Sequence, residues 1–264
     1  MSRQNALVWF RNDFRSIDNP ALYHACQSTQ PVIAIYIATP QQWNQHDDAA
    51  VKLDFWRRNL VKLENELAKL NIQLHFFQVD SYPKIPDLIA TICQQWAINQ
   101  VHFNAELAVN ECQRDTNVIE RCQDIGVTYQ SHHDQLLLPA ASIRTKTGTP
   151  YKVFTPFSAQ ARQHLVTPPD LYPAPVPSKK ATDYTAEVLK EQCQLADIPW
   201  PATELLACRS TTSLNSTKRI LSAAHSKLQN RQGYSFFSRH QSAIPLSSQR
   251  NIIRRSMLAR NFAL

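Results

Sequence analysis

The sequence predicts an α/β fold in which a parallel sheet of five strands carries helices on both faces. Three observations predict it. Short apolar runs alternate with segments of helical period through the first half of the chain. The runs are nearly continuous in apolar residues, as strands buried on both faces require. The segments between them are long enough to be helical crossovers, which parallel neighbours need. Together these describe a Rossmann-like sheet, whose ligands bind at the carboxyl ends of the strands where strand order reverses.

Each element has its own signal. Ala6–Phe10 (ALVWF) reads as a buried strand, and Val32–Ala38 (VIAIYIA), rich in β-branched residues and preceded by Pro31, as the second. Ile72–Val79 and Gln100–Asn104 continue the series, and Val127–Gln130 with Leu136–Leu138 suggests a fifth element. The longest helix is expected over Ala49–Leu70, where Leu53, Trp56, Leu60, Leu63, Leu67 and Leu70 form one apolar stripe. Ile85, Leu88, Ile89, Ile92 and Trp96 mark the next helix, and Val109, Cys112, Ile119 and Cys122 a third.

Composition narrows the function. The 264 residues, 43% of them hydrophobic, suffice for one substantial core. No window is apolar enough for a transmembrane helix, and the N-terminus lacks the layout of a signal peptide, so a cytoplasmic, monomeric protein without membrane contact is expected. The six cysteines (Cys26, Cys93, Cys112, Cys122, Cys193 and Cys208) form no close ligand pair, which argues for buried reduced thiols and against a zinc site. The chain has only three glycines, Gly126, Gly148 and Gly233, so neither a GxGxxG turn nor a Walker A loop can be built.

After Leu165 the texture changes. VTPPDLYPAPVPSKK is dense in proline, which fixes φ and donates no amide hydrogen, so residues 166–206 read as an extended connector ending near DIPWPATE. Residues 1–165 then form the α/β domain. The formal charge of +7 is also unevenly placed: residues 205–264 hold ten Lys or Arg and no Asp or Glu. That break marks a further boundary.

Three stretches at expected strand ends carry candidate chemistry. Arg11, Asn12, Asp13 and Arg15 follow the first strand, with Asp18-Asn19-Pro20 as a turn and helix start. They fit either a ligand site or an Arg–Asp network that holds the loop. His46, in TPQQWNQHDD after the second strand, is either a solvated loop histidine or a site residue. Asn110 and Glu111 open the helix after the fourth strand. Glu111 there suits the helix dipole, and an Asn–Glu pair can also meet the amide edge of a pterin or purine ring.

These motifs carry a resemblance. VWFRNDFRSIDNPAL, YIATPQQW, AVNE and YKVFTPF (Tyr151–Phe157) resemble the N-terminal domain of the DNA photolyase/cryptochrome family, over about residues 5–204. The likeness is greatest to bacterial cyclobutane-pyrimidine-dimer photolyases with a folate antenna. The resemblance implies an α/β antenna domain joined by a Pro-rich linker to a helical domain that binds FAD and flipped-out pyrimidine dimers. It implies a light-driven, flavin-dependent lyase acting on UV-damaged DNA, with methenyltetrahydrofolate as the antenna chromophore. In relatives a folate, a deazaflavin or a flavin occupies this domain. By motif, Glu111, Asn110 and His46 are the residues implied to contact a pterin.

The resemblance also bears on the basic C-terminal stretch. The family expects RDFPxxxGTSRLSPYLAxGxLSxxQCL where this chain has QGYSFFSRHQSAIPLSSQRNIIRRSML. Codons read one base out of register restore that string. Gln232–Ser235 can encode Arg-Asp-Ile-Pro, residues 239–242 Gly-Thr-Ser-Arg, residues 243–248 Leu-Ser-Pro-Tyr-Leu-Ala, and residues 256–258 Gln-Cys-Leu. The shift falls just after Leu206. Residues 207–264 therefore read as an out-of-frame remnant of the FAD domain, expected to be disordered. The reading of the whole is a truncated photolyase without catalytic residues of its own and without repair activity. Two other classes remain open: a stand-alone pterin- or nucleotide-binding module, and a nonspecific nucleic-acid binder acting through the ten cations of the tail.

Overall fold

A computed structural model describes residues 5–165, 171–179 and 189–202. The expectations for residues 207–264 and for Cys208 lie outside the described residues, which all fall within one compact unit, Met1–Ala202. The elements in chain order are β1 (Asn5–Phe10), α1 (Pro20–Gln27), β2 (Val32–Ala38), α2 (Pro40–Gln45), α3 (Ala50–Ala68), β3 (Leu74–Gln78), α4 (Ile85–Gln95), β4 (Ile98–Asn104), α5 (Val109–Asp124), β5 (Thr128–His132), α6 (Phe154–His164) and β6 (Gln192–Cys193).

The sheet runs β5-β4-β1-β2-β3-β6. The first five strands are parallel, and β6 pairs antiparallel with β3 through Phe76 and Phe77. The expected five-stranded parallel sheet is present, with this two-residue strand added at its edge. Side chains alternate across the strands into two cores. Leu7, Trp9, Ile33, Ile35 and Phe103 pack against α4 and α5. Ala6, Val8, Phe10, Ala34 and Tyr36 face α1 and α3. The small residues on that second face let the helices approach closely.

Three expectations need correction. Leu136–Leu138 lie beyond β5 in irregular backbone, because the strand ends at His132 once its pairing with β4 stops at Asn104. In α5, Val109 is 84% exposed and Cys112 is exposed; the residues the helix buries are Arg114, Asp115, Val118 and Cys122. Its first turns thus face a charged cleft. Of the thiols, Cys93 and Cys122 are buried and Cys26 and Cys193 are half-buried.

The described parts of the connector are bonded to the domain. Ser178 Oγ accepts from the Val32 amide at 3.1 Å, and its own amide donates to the Leu70 carbonyl at 2.9 Å. Tyr172 donates its amide to Asp18 Oδ1 at 3.1 Å, across from the turn that starts α1. Ile198 is buried in the core beside α3, and the Trp200 ring stacks on Trp43 at 5.2 Å. An extended proline-rich strap carries free amides and carbonyls, and these bonds satisfy several of them.

At the β4–β5 edge three imidazoles stack. His24 of α1 lies 4.8 Å from His132, and His132 lies 5.7 Å from His102, with the rings nearly parallel. Tyr23 and Tyr172 enclose His24. His102 is 1% exposed, and its Nε2 has no hydrogen-bond partner among the described residues. Burial, then the neighbouring histidines, push the pKa of His102 down to about 3; burial and His24 push His132 down to about 4. Unfolding returns both to the ordinary value near 6.5, so the unfolded state binds more protons between that pH and the folded values. The stabilisation is complete above about pH 6.5 and is lost as pH falls toward 4. Denaturant melts of the full chain should show a loss of about 2–3 kcal/mol between pH 7 and 4.5, allowing for screening. His132→Gln should reduce that slope; a flat profile for the native chain would refute the assignment.

Candidate functional site

The strand order reverses beside β1. The chain passes from β1 to β2 and β3 on one side, then returns to β4 on the other. The carboxyl ends of β1 and β4 therefore diverge and leave a crevice, the usual ligand position in such sheets. A charged cluster fills its floor. Arg11 follows β1 and Glu106 follows β4, while Arg114 and Asp115 come from α5, and all four are at most 7% exposed.

Buried charge must be paired and hydrogen-bonded to be tolerated. Arg11 Nη1 donates to Asp115 Oδ1 at 2.8 Å, its Nη2 donates to the Asn104 carbonyl, and its Nε lies 3.8 Å from Glu106 Oε2. Arg114 Nη2 donates to Glu106 Oε2 at 2.7 Å and to Asp115 Oδ1 at 2.7 Å. Asn12 donates to the other Glu106 oxygen. Two guanidiniums thus meet two carboxylates, and the cluster is neutral as a whole. Burial works to raise the Glu106 pKa, but the charges of Arg11 and Arg114 hold it below the ordinary carboxylate range. Arg114 is correspondingly held above the ordinary arginine value despite burial. Trp9 lies under both guanidiniums, 4.6 Å from Arg11 and 4.9 Å from Arg114.

The loop after β1 is held by amides and a carboxylate. Asp13 accepts from the Arg11 amide at 2.9 Å and from Asn104 Nδ2 at 2.5 Å. Asn19 caps α1, accepting from the Leu22 amide at 3.1 Å, and Pro20 occupies the first turn as expected. Arg15 donates to the Asp18 carbonyl and pairs with Asp134. Arg11, Asn12, Asp13 and Arg15 therefore sit in a holding network. Arg11 pairs there with residues about a hundred positions away and not with its neighbour Asp13.

Above this floor, the sequence-derived candidates converge. His46 ends α2 and is exposed; Asn110 and Glu111 open α5. Asn110 Nδ2 lies 3.5 Å from His46 Nε2, and Gln42 Nε2 lies 2.6 Å from the same ring nitrogen. Two amide nitrogens facing Nε2 suit that ring nitrogen as their acceptor, with Nδ1 turned to donate. Glu111 Oε1 accepts from the Tyr82 hydroxyl at 3.1 Å. Tyr82 lies in a single turn, Tyr82–Lys84, between β3 and α4. The segments after three strands, β2, β3 and β4, thus supply one rim. The rim presents an imidazole, a carboxamide and a carboxylate, a set able to hydrogen-bond the edge of a heterocycle. Among the described residues no group of His, Cys, Asp or Glu could hold a metal ion.

Glu106, Arg114, Asp115 and Tyr82 were not singled out from the sequence. FNAELAVNECQRD contained a signal: its charged residues fall where the apolar stripe of α5 should run. If the buried cluster holds the crevice together, Arg114→Met should lower stability by about 3–5 kcal/mol, because it strands buried carboxylates. Arg121→Met on the same helix breaks only exposed pairs, with Asp87 and Asp124, and should change stability by less than about 1 kcal/mol. Equal effects in urea unfolding would remove the distinction.

Comparison with known proteins agrees with this fold. The family model for DNA photolyase matches residues 6–178. The deoxyribodipyrimidine photo-lyase of Buchnera aphidicola from Acyrthosiphon pisum is 36% identical over 182 residues, covering 68% of this chain and 37% of the relative. That of Vibrio cholerae is 40% identical over 163 residues, covering 62% and 34%. The chain spans about a third of the length of these curated relatives. A bacterial class III photolyase from Agrobacterium tumefaciens aligns with a TM-score of 0.60 at 25% identity, over 78% of this chain and 40% of that one. A Synechocystis cryptochrome shares the fold, with a TM-score of 0.59 at 21% identity, over 67% of this chain and 38% of that one. On the family match, the ordered motifs and the shared architecture, the chain belongs to the DNA photolyase family.

Proposed function

We propose that the α/β unit is the light-harvesting antenna domain of a cyclobutane-pyrimidine-dimer photolyase, and that His46, Asn110 and Glu111 bind methenyltetrahydrofolate. The observation that carries this reading is the meeting of His46 with Asn110, across 64 residues of sequence, at the strand-order reversal of a photolyase-family domain. The donor set suits the group: a pterin edge presents N–H donors to the carboxylate and an acceptor to the imidazole N–H. A bound folate would supply near-UV absorption and pass the excitation to a flavin. His46 and Asn110 are exposed, so this unit provides one wall of a pocket and binding should be modest.

In the intact family the repair step uses FAD and UV-damaged DNA. The proposed setting is a cytoplasmic monomer, with residues 1–165 as the antenna domain and 166–206 as the linker. Residues 207–264 are proposed to be an out-of-frame remnant of the FAD domain.

Titration of the full chain with 5,10-methenyltetrahydrofolate should give saturable binding and a shifted near-UV absorption band. Glu111→Ala should weaken it at least about tenfold, the loss of a charged hydrogen-bond acceptor. Absence of saturable binding would sink the antenna reading. Separately, sequencing the coding DNA past codon 206 should show that a one-base shift opens a frame encoding GTSRLSPYLA-like sequence. If no shifted frame encodes it, the remnant reading is wrong.

A further inference from the structure

Tyr82 stands between two charges that would otherwise meet. Its ring face lies 4.8 Å from the Arg114 guanidinium, and its hydroxyl donates to Glu111 Oε1 at 3.1 Å. Arg114 is one turn beyond Glu111 on α5, close enough for a direct ion pair on a bare helix. Among the described residues Glu111 makes no ion pair, and the Tyr82 bond is its one hydrogen bond. Arg114 is instead turned inward to Glu106 and Asp115. Glu111 thus keeps a second oxygen open to the crevice.

The other cations of this edge are also matched. Arg11 is held by Asp115 and Glu106; Lys52 pairs with Asp48 at 2.5 Å and lies over the Trp56 ring; Lys84 pairs with Asp80. None of the three glycines lies in the loops after β1 to β4, so no glycine-rich phosphate loop can form there. A phosphate group entering here would meet Glu111 and find no unmatched cation. A ring edge bearing N–H donors would find a fixed acceptor.

We propose that Tyr82 is the specificity-determining positioning residue of this site: it holds Glu111 apart from Arg114 as an open acceptor, so that the crevice takes a donor-bearing, phosphate-free heterocycle and rejects flavin nucleotides. This rests on the antenna reading above and adds a residue and a ligand class to it. Burial, with the negative charges of Glu111 and Glu106 added and Arg114 opposing, keeps the phenol well above its ordinary pKa. It therefore remains a donor throughout the working pH range.

The test uses the full chain and three probes: 5,10-methenyltetrahydrofolate, FMN and FAD. Tyr82→Phe keeps the ring beneath Arg114 and deletes only the hydroxyl. It should weaken folate binding about five- to tenfold. The absorption band of the bound folate should move toward that of the free compound, with Tm unchanged within about 2 °C. The native chain should bind FMN and FAD at least about a hundredfold more weakly than the folate. Native-like folate affinity and band position in Tyr82→Phe would overturn the role, and so would a Tm lowered by many degrees, which would make the hydroxyl structural. FMN or FAD bound as tightly as the folate would overturn the ligand class while leaving the antenna reading in place. Failure of all three probes to bind would remove both.

Discussion

The crevice at the strand-order reversal depends on placing two arginines where water cannot reach them. Arg11 ends β1 and Arg114 lies one turn into α5, and each is nearly fully buried. A guanidinium in that position is tolerable only when carboxylates and carbonyls pair with it. Glu106, Asp115 and the Asn104 carbonyl supply them, and Trp9 packs beneath both planes. Because the partners come from β1, the β4 loop and α5, satisfying the charges fixes the relative positions of all three. The loop after β1 follows, since Asp13 and Asn19 bond the same Asn104. The rim follows in turn, since Asn110 and Glu111 begin the helix that Arg114 anchors.

The sheet was legible because burial on both faces demands near-continuous apolar strands, and VIAIYIA satisfies that with no polar interruption. The stripe of α3 was legible for the same reason: one face meets a core and the other meets water. β6 was not legible. It is two residues long, and nothing in Gln192–Cys193 distinguishes a strand; the pairing is set by the free edge of β3. The inward face of α5 misled because periodicity assumes an apolar partner. Here the partner of its first turns is a charged cleft, so Arg114 and Asp115 are buried while Val109 is exposed.

The site divides along the same line. Arg11, Asp13, His46, Asn110 and Glu111 were visible because each follows a strand, and strand ends gather at one edge of a parallel sheet. Their partners were not, because pairing across about a hundred residues leaves no local trace. Asp13 illustrates the limit. Its nearness to Arg11 and Arg15 in sequence suggests ion pairs, yet its carboxylate accepts from the Arg11 backbone amide and from two asparagines. The turn geometry, and not opposite charge, decides what a carboxylate two residues away can reach.

Neutralising the floor has a consequence for what the crevice can recognise. Dinucleotide-binding sheets of similar topology use glycine-rich turns and a helix N-terminus to receive a pyrophosphate. In this chain the loops after β1 to β4 lack glycine, and the cations beside them are matched with carboxylates. Among the described residues His46, Asn110 and Glu111 line this rim, a set able to hydrogen-bond a ring edge. A sheet order shared with nucleotide-binding proteins is thus combined here with different side chains at the strand ends.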